Sequence, residues 1–275
     1  MSERKGVRLT TDEIVSYLKR TQLPTVLVEG PDDLTIYRNI EDQLGQGQYD
    51  VLMCHGRDTL LEVFQRDREF RESPVIYMAD LDMWLFTEVP KEYRDGIVFT
   101  NGYSIENDIY DPAILESLMS TAERARHSNL VAELSKWFAC EVERFRSHGY
   151  SLCDQNVARI LTDDKLCPNF IQSYGYHEAD PDLIANIQEN YSDRLRGKTL
   201  MQILVEILSE SSRPSKYSRN NLLEMSSRLS SAPAKRLHDR LVAALSHSLV
   251  THVTQLARAD RRAPVGCERR RRRVA

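Results

Sequence analysis

Val75-Ile76-Tyr77-Met78-Ala79-Asp80-Leu81-Asp82 runs an apolar stretch straight into two acids. The run is too short and too uniformly apolar for a surface helix. It suits a strand buried on both faces. Similar runs lie on either side. Val26-Leu27-Val28 delivers Glu29-Gly30-Pro31-Asp32-Asp33, and Ile97-Val98-Phe99-Thr100 leads into Asn101 through Asp108. Tyr49 to Met53 forms a further short run. Between them, Asp32–Leu44 and Asp58–Arg71 carry apolar residues at helical spacing, with Gly45-Gln46-Gly47 as a stop for the first. The pattern predicts β-α-β-α-β-β-α up to about residue 115, with residues 83–95 a loop or short helix. Right-handed crossovers make this a parallel-cored α/β sheet flanked by helices.

In open parallel sheets, ligands collect outside the carboxyl ends of the strands. Glu29, Asp33, Asp80, Asp82 and Glu106 all follow strand ends, so side-by-side strands would draw them into one volume. Asp80 and Asp82, at i and i+2, would share a strand face. Asp33, one helical turn beyond Glu29, would face back toward it. Close carboxylates repel, and hard oxygen donors select one or two Mg(II) or Mn(II) ions. Two such ions suit phosphodiester hydrolysis. The bland alternative is solvated loop acids and helix-dipole partners for Asp32 and Asp33.

The remaining sequence sets the frame. Residues 9–20 read as a short helix capped by Thr10 or Thr11, and Asp111-Pro112 marks another helix start. From about residue 113 the periodicity is helical almost throughout, ending in a helix near 233–257, with 209–218 an exposed loop. The expected organisation is an N-terminal helix (1–22), an α/β domain (23–115), a mostly helical C-terminal domain (116–257) and a basic, disordered tail (258–275). The tail holds eight arginines against Asp260 and Glu268, so the body is more acidic than the overall net charge of −4. Global charge therefore does not mark a nucleic-acid binder. Five cysteines without a CxxC pair suggest neither a zinc site nor a disulfide framework, and a polar start without long apolar stretches points to a cytoplasmic protein with no membrane segment.

VLVEGPDD, IYMADLDMW and FTNGYSIEND together resemble the TOPRIM fold over residues 20–115. This metal-binding domain is shared by topoisomerases, bacterial primases and the nucleases of the overcoming-lysogenization-defect family. Glu29 matches the family glutamate, and Asp80 with Asp82 its DxD. Glu29 with Asp33 is similar to the E-x-x-x-E/D element of the lysogenization-defect nucleases, and Glu106 resembles their further downstream acid. The layout, TOPRIM first and helices second, is similar to the TOPRIM effectors of the PARIS anti-phage systems. The resemblance implies a toxic endonuclease acting on transfer RNA or other RNA in preference to DNA. An ABC-type ATPase would hold it inactive, and release would permit homodimerisation. It implies catalytic roles for Glu29, Asp80 and Asp82, and metal binding by Glu29, Asp33, Asp80, Asp82 and Glu106. A phosphate-facing cation is then expected, with Arg57, Lys165 and Lys198 as candidates. A partner or second copy could supply the positive surface that an acidic body lacks.

Two other functions compete, a DxD phosphatase and a non-catalytic docking subunit. The phosphatase normally places its nucleophile on the first strand, where this chain has Glu29. Gly197-Lys198-Thr199 resembles the end of a phosphate-binding loop, but Ser192 replaces its first glycine, so it reads as a helix start capped by Thr199. Cys54-His55 and His177 read as structural. Trp84, just after the DxD, could cap the site or dock a partner.

Overall fold

The computed structural model describes residues 8–44, 49–71, 73–229 and 231–260. The Gly45-Gln46-Gly47 stop, the first seven residues and the basic tail from residue 261 lie outside the described residues. The chain runs α1 (Thr11–Leu18), β1 (Thr25–Val28), α2 (Pro31–Leu44), β2 (Asp50–Met53), α3 (Arg57–Gln65), β3 (Val75–Ala79), α4 (Lys91–Arg94), β4 (Ile97–Phe99) and α5 (Ile105–Ile109). There follow α6 (Pro112–Leu115), α7 (Thr121–His148), α8 (Val157–Ile160), β5 (Leu161–Thr162), β6 (Lys165–Leu166) and α9 (Pro168–Tyr174). The last elements are α10 (Pro181–Glu189), α11 (Tyr191–Arg194), α12 (Gly197–Leu208), α13 (Arg219–Arg228) and α14 (Ala232–Asp260). The fold is mixed α/β, a parallel sheet flanked by helices with a helical C-terminal part.

The sheet order is β2-β1-β3-β4, and every pairing is parallel. The chain leaves β1 toward one edge and returns through β3 on the other side. That reversal places a topological switch point between the carboxyl ends of β1 and β3, where such sheets open a crevice. Alternation along each strand sends successive side chains to opposite faces. Leu27, Tyr77 and Ala79 meet α1 and α3 through Ile14, Leu18, Leu60 and Val63. Val26, Val28, Ile76 and Met78 belong to the larger core, which continues unbroken through Ile36 and Ile109 to Trp137, Leu204 and Leu241. The helical part thus covers one sheet face. Leu200, Ile203, Leu204, Ile207 and Leu208 of α12 are fully buried.

Local signals place the elements. Thr10 caps α1 in a reciprocal box with Glu13, and Asp111 caps α6 with Pro112 in its first turn. Residues 58–71 resolve into α3 and a separate 3-10 turn, Asp67–Phe70. The final helix extends to Asp260, three residues into the segment read from sequence as tail. The β5–β6 hairpin, unmarked by periodicity, turns on Asp163 and Asp164 at φ of 50° and 57°. Two successive left-handed residues match the favoured hairpin turn, and two acids disguise it. Among the described residues, no helix is long and apolar enough to cross a membrane.

Candidate functional site

Glu29, Asp80 and Asp82 line one cleft at the switch point. Glu29 lies one residue beyond β1, and its Oε1 accepts the backbone N–H of Asp80 at 2.9 Å, so the ends of β1 and β3 are in direct contact. Asp80 lies one residue beyond β3, and its Oδ1 accepts the N–H of Ile105 at 2.8 Å, tying it to the start of α5. Asp82 reaches the site by a route that strand alternation does not give. The strand ends at Ala79, Leu81 is helical, and Asp82 takes a left-handed φ of 47° at the head of a 3-10 turn. A tight turn therefore brings Asp80 and Asp82 together, correcting the expected i, i+2 strand geometry.

Asp33 faces back as its position on α2 requires. Its Oδ2 accepts the N–H of Gly30 at 2.5 Å. Glu106, on α5, is buried at 1% exposure. Its Oε2 accepts from Ser104 Oγ at 2.6 Å and its Oε1 from Arg219 of α13 at 2.8 Å. Neither Asp33 nor Glu106 lines the open cleft, whose acidic wall is Glu29, Asp80 and Asp82.

Arg57 occupies the middle of that wall. Its guanidinium lies 3.3 Å from Glu29 Oε1 and 3.1 Å from Asp82 Oδ2, and it donates to the Asp80 carbonyl. It lies over the Trp84 ring, 4.8 Å from the centroid, and Trp84 in turn stacks on Tyr93. The turn before α3 aims Arg57. His55 and Gly56 have φ of 60° and 139°, and the Gly56 N–H bonds the Glu29 carbonyl at 2.8 Å. A Cβ at Gly56 would meet nothing within 4 Å, so glycine is required there for its backbone angle rather than for room.

The cleft lining is also cationic. Asn107 donates to the carbonyls of Ser192 and Leu195, docking the start of α12 onto α5. At Gly197 a Cβ would fall 2.4 Å from Ser104 Oγ and 2.8 Å from Glu106 Cβ, so only glycine permits this approach. Arg196 and Lys198 thereby line the same cleft, about 530 Å³, together with Trp84, Tyr103 and Phe145. Arg196 is held from outside by Asp154 at 2.8 Å. Sequence reasoning missed Arg196. Its signal was a basic residue on each side of the helix-opening glycine.

Electrostatics follow from this layout. Burial first, then Asp33, Asp82, Glu29 and Glu106, hold the Asp80 carboxyl well above the ordinary range. Burial also raises Glu29, with Arg57 opposing it. Asp82 is raised by burial against the pull of Arg57, Arg196 and Lys198. For Arg57, burial works against its charge, but Asp82, Glu29 and Asp80 outweigh it.

Two other expectations are corrected. Lys165 sits in the β5–β6 hairpin beside Glu133, because the turn at Asp163-Asp164 folds it onto α7 and away from the cleft. Thr199 does not cap α12. The helix opens at Gly197, Arg196 holds the cap position without a side-chain bond, and the buried Thr199 hydroxyl has no partner. Phe145 of α7 is partly buried and lines the cleft. Cys54 is buried and its thiol pushed up to about 12, in keeping with a structural role. His177 packs on α7 between Cys140 Sγ at 3.3 Å and Glu143 at 2.8 Å.

No protein-family model matches the chain, and neither does any curated protein. Hard carboxylate oxygens of this kind suit Mg(II) or Mn(II). Yet among the described residues no three acidic, histidine or cysteine side chains stand together as a ready ligand set. Arg57 and Arg219 hold the oxygens instead. The donor chemistry fits a divalent cation; the side-chain arrangement is one neutralised by arginine.

Proposed function

We propose that the protein is a metal-dependent phosphodiesterase, a nuclease of the TOPRIM type. One observation carries the reading. Asp80, at a parallel-sheet switch point, is crowded by four further acids and shares one cleft with Arg196 and Lys198. Crowded carboxylates that raise one another's pKa disfavour their own ionised state, and perturbed groups of this kind cluster at functional sites. Glu29, Asp80 and Asp82 would hold one or two Mg(II) or Mn(II) ions, with Asp33 and Glu106 behind them adjusting the charge. When bound, such an ion acidifies water and neutralises charge on the phosphate.

The side chains supply the rest. Arg196 and Lys198 bind and orient the phosphate, aided by the start of α12. Glu29, its carboxyl raised by burial, stands where it can accept a proton. Trp84 and Phe145 give the cleft an aromatic border suited to a nucleotide base. The resemblance extends the proposal to a toxic anti-phage effector in the cytoplasm, acting on transfer RNA or other RNA and restrained by an ABC-type ATPase, with a homodimer on release. A non-catalytic docking subunit is the second reading, favoured by the arginine-neutralised acids.

The test is incubation of purified protein with Mn(II) and, in turn, total RNA, plasmid DNA and a generic phosphate ester. Polynucleotide cleavage that disappears in Glu29→Ala is the expected result. Cleavage that survives this substitution removes the assignment. Ester hydrolysis without polynucleotide cleavage favours a phosphatase.

A further inference from the structure

Resting on the metal-site reading above, we infer that Arg57 and a divalent cation are alternative occupants of one carboxylate set, so that Arg57 is a built-in counter-ion which metal must displace. The guanidinium already satisfies Glu29 Oε1 at 3.3 Å and Asp82 Oδ2 at 3.1 Å, and it donates to the carbonyl of Asp80 between them. Mg(II) needs oxygen ligands at roughly 2.0–2.1 Å in near-octahedral order. A cation that close to the same oxygens would press directly on the guanidinium charge. In a partly buried pocket that repulsion is not screened away. One positive group must leave before the other binds.

The surroundings favour the arginine-filled arrangement. The turn at His55-Gly56 fixes the start of α3, and the Trp84 ring gives the guanidinium a flat seat at 4.8 Å. Arg57 is the only basic residue, among the described residues, recorded in an ion pair with Glu29 or Asp82. Arg196 and Lys198 share the cleft but make no such pair, so a metal could bind without moving them. Apparent metal affinity is therefore the intrinsic affinity multiplied by the fraction of molecules in which Arg57 has swung away.

Calorimetric titration of the full chain with MnCl2 tests this, alongside thermal melts with and without the ion. Arg57→Gln should bind Mn(II) about tenfold tighter than wild type, as expected if the displaced state holds about a tenth of the population. It should also melt lower without metal and regain the difference at saturating Mn(II). Trp84→Leu keeps the guanidinium but removes its seat, and should bind about two- to fivefold tighter, the range of an exposed cation–π contact. Arg196→Gln controls for net charge and should change affinity much less than Arg57→Gln. Unchanged or weaker Mn(II) binding in Arg57→Gln overturns the inference, as does an equal gain in Arg196→Gln. Should Arg57→Gln fail to fold, wild-type affinity in Trp84→Leu overturns it. Absence of Mn(II) binding by every variant and by wild type removes the metal site itself, an outcome distinct from wild-type binding that Arg57→Gln leaves unimproved.

Discussion

Removing Arg219 should cost more stability than neutralising the glutamate it holds. Glu106 is 1% exposed, and Arg219 approaches its Oε1 at 2.8 Å. Losing a hydrogen bond to a charged group costs about 1.5–3 kcal/mol, and stranding a fully buried charge about 3–5 kcal/mol. The Arg219 side chain is 32% exposed, so water can partly replace it. Arg219→Ala should therefore destabilise by about 2–3 kcal/mol, at the lower end of those ranges. Glu106→Gln keeps an oxygen acceptor and the Ser104 contact while removing a desolvated charge, and should cost about 1 kcal/mol or less. Arg219 makes further interactions, so the double variant is the decisive measurement. Glu106→Gln in the Arg219→Ala background should recover about 1–2 kcal/mol, because the stranded charge is gone. Urea unfolding followed by circular dichroism reads all four proteins. Strict additivity of the two changes, or a loss under about 0.5 kcal/mol in Arg219→Ala, would refute the claim that Arg219 neutralises Glu106.

Two further effects follow from buried titratable groups. Asp80 holds its proton more tightly folded than unfolded, so its ionisation costs stability increasingly as pH rises above the ordinary carboxylate range. Asp80→Asn should raise the melting temperature in metal-free buffer at pH 7, gain much less at pH 4, and lose any Mn(II)-induced shift; a lower melting temperature at pH 7 would contradict this. His127, 2% exposed and 3.3 Å from the Tyr110 hydroxyl, has its pKa lowered by burial, which outweighs the opposing pull of Glu116. The unfolded chain then binds the extra proton more readily, so stability is full above about pH 6.5 and falls as pH drops below it. His127→Gln should flatten that acid limb in melts run from pH 7.5 to 5, and an unchanged slope would show that His127 is not its source.

The four sheet strands were legible because buried parallel strands write themselves as unbroken apolar runs, and the caps at Thr10 and Asp111 because side-chain capping is local chemistry. The nearness of Glu29 and Asp80 was legible only conditionally. It needed β1 and β3 to be neighbours, and hydrogen-bonded pairing across a 50-residue separation is a property of the sheet order β2-β1-β3-β4. Asp82's left-handed turn, the Asp163-Asp164 hairpin and Gly197's contact with Ser104 and Glu106 left no periodic trace.

The sequence alone determined the four strands of the sheet, the helices between them and which acids stand at strand ends, because those depend on residues near one another along the chain. Tertiary structure alone decided how charge is balanced. Arg57 and Arg219 reach the acids from α3 and α13, Arg196 enters the cleft from the head of α12, and long side chains from distant elements are matched only when packing fixes their origins.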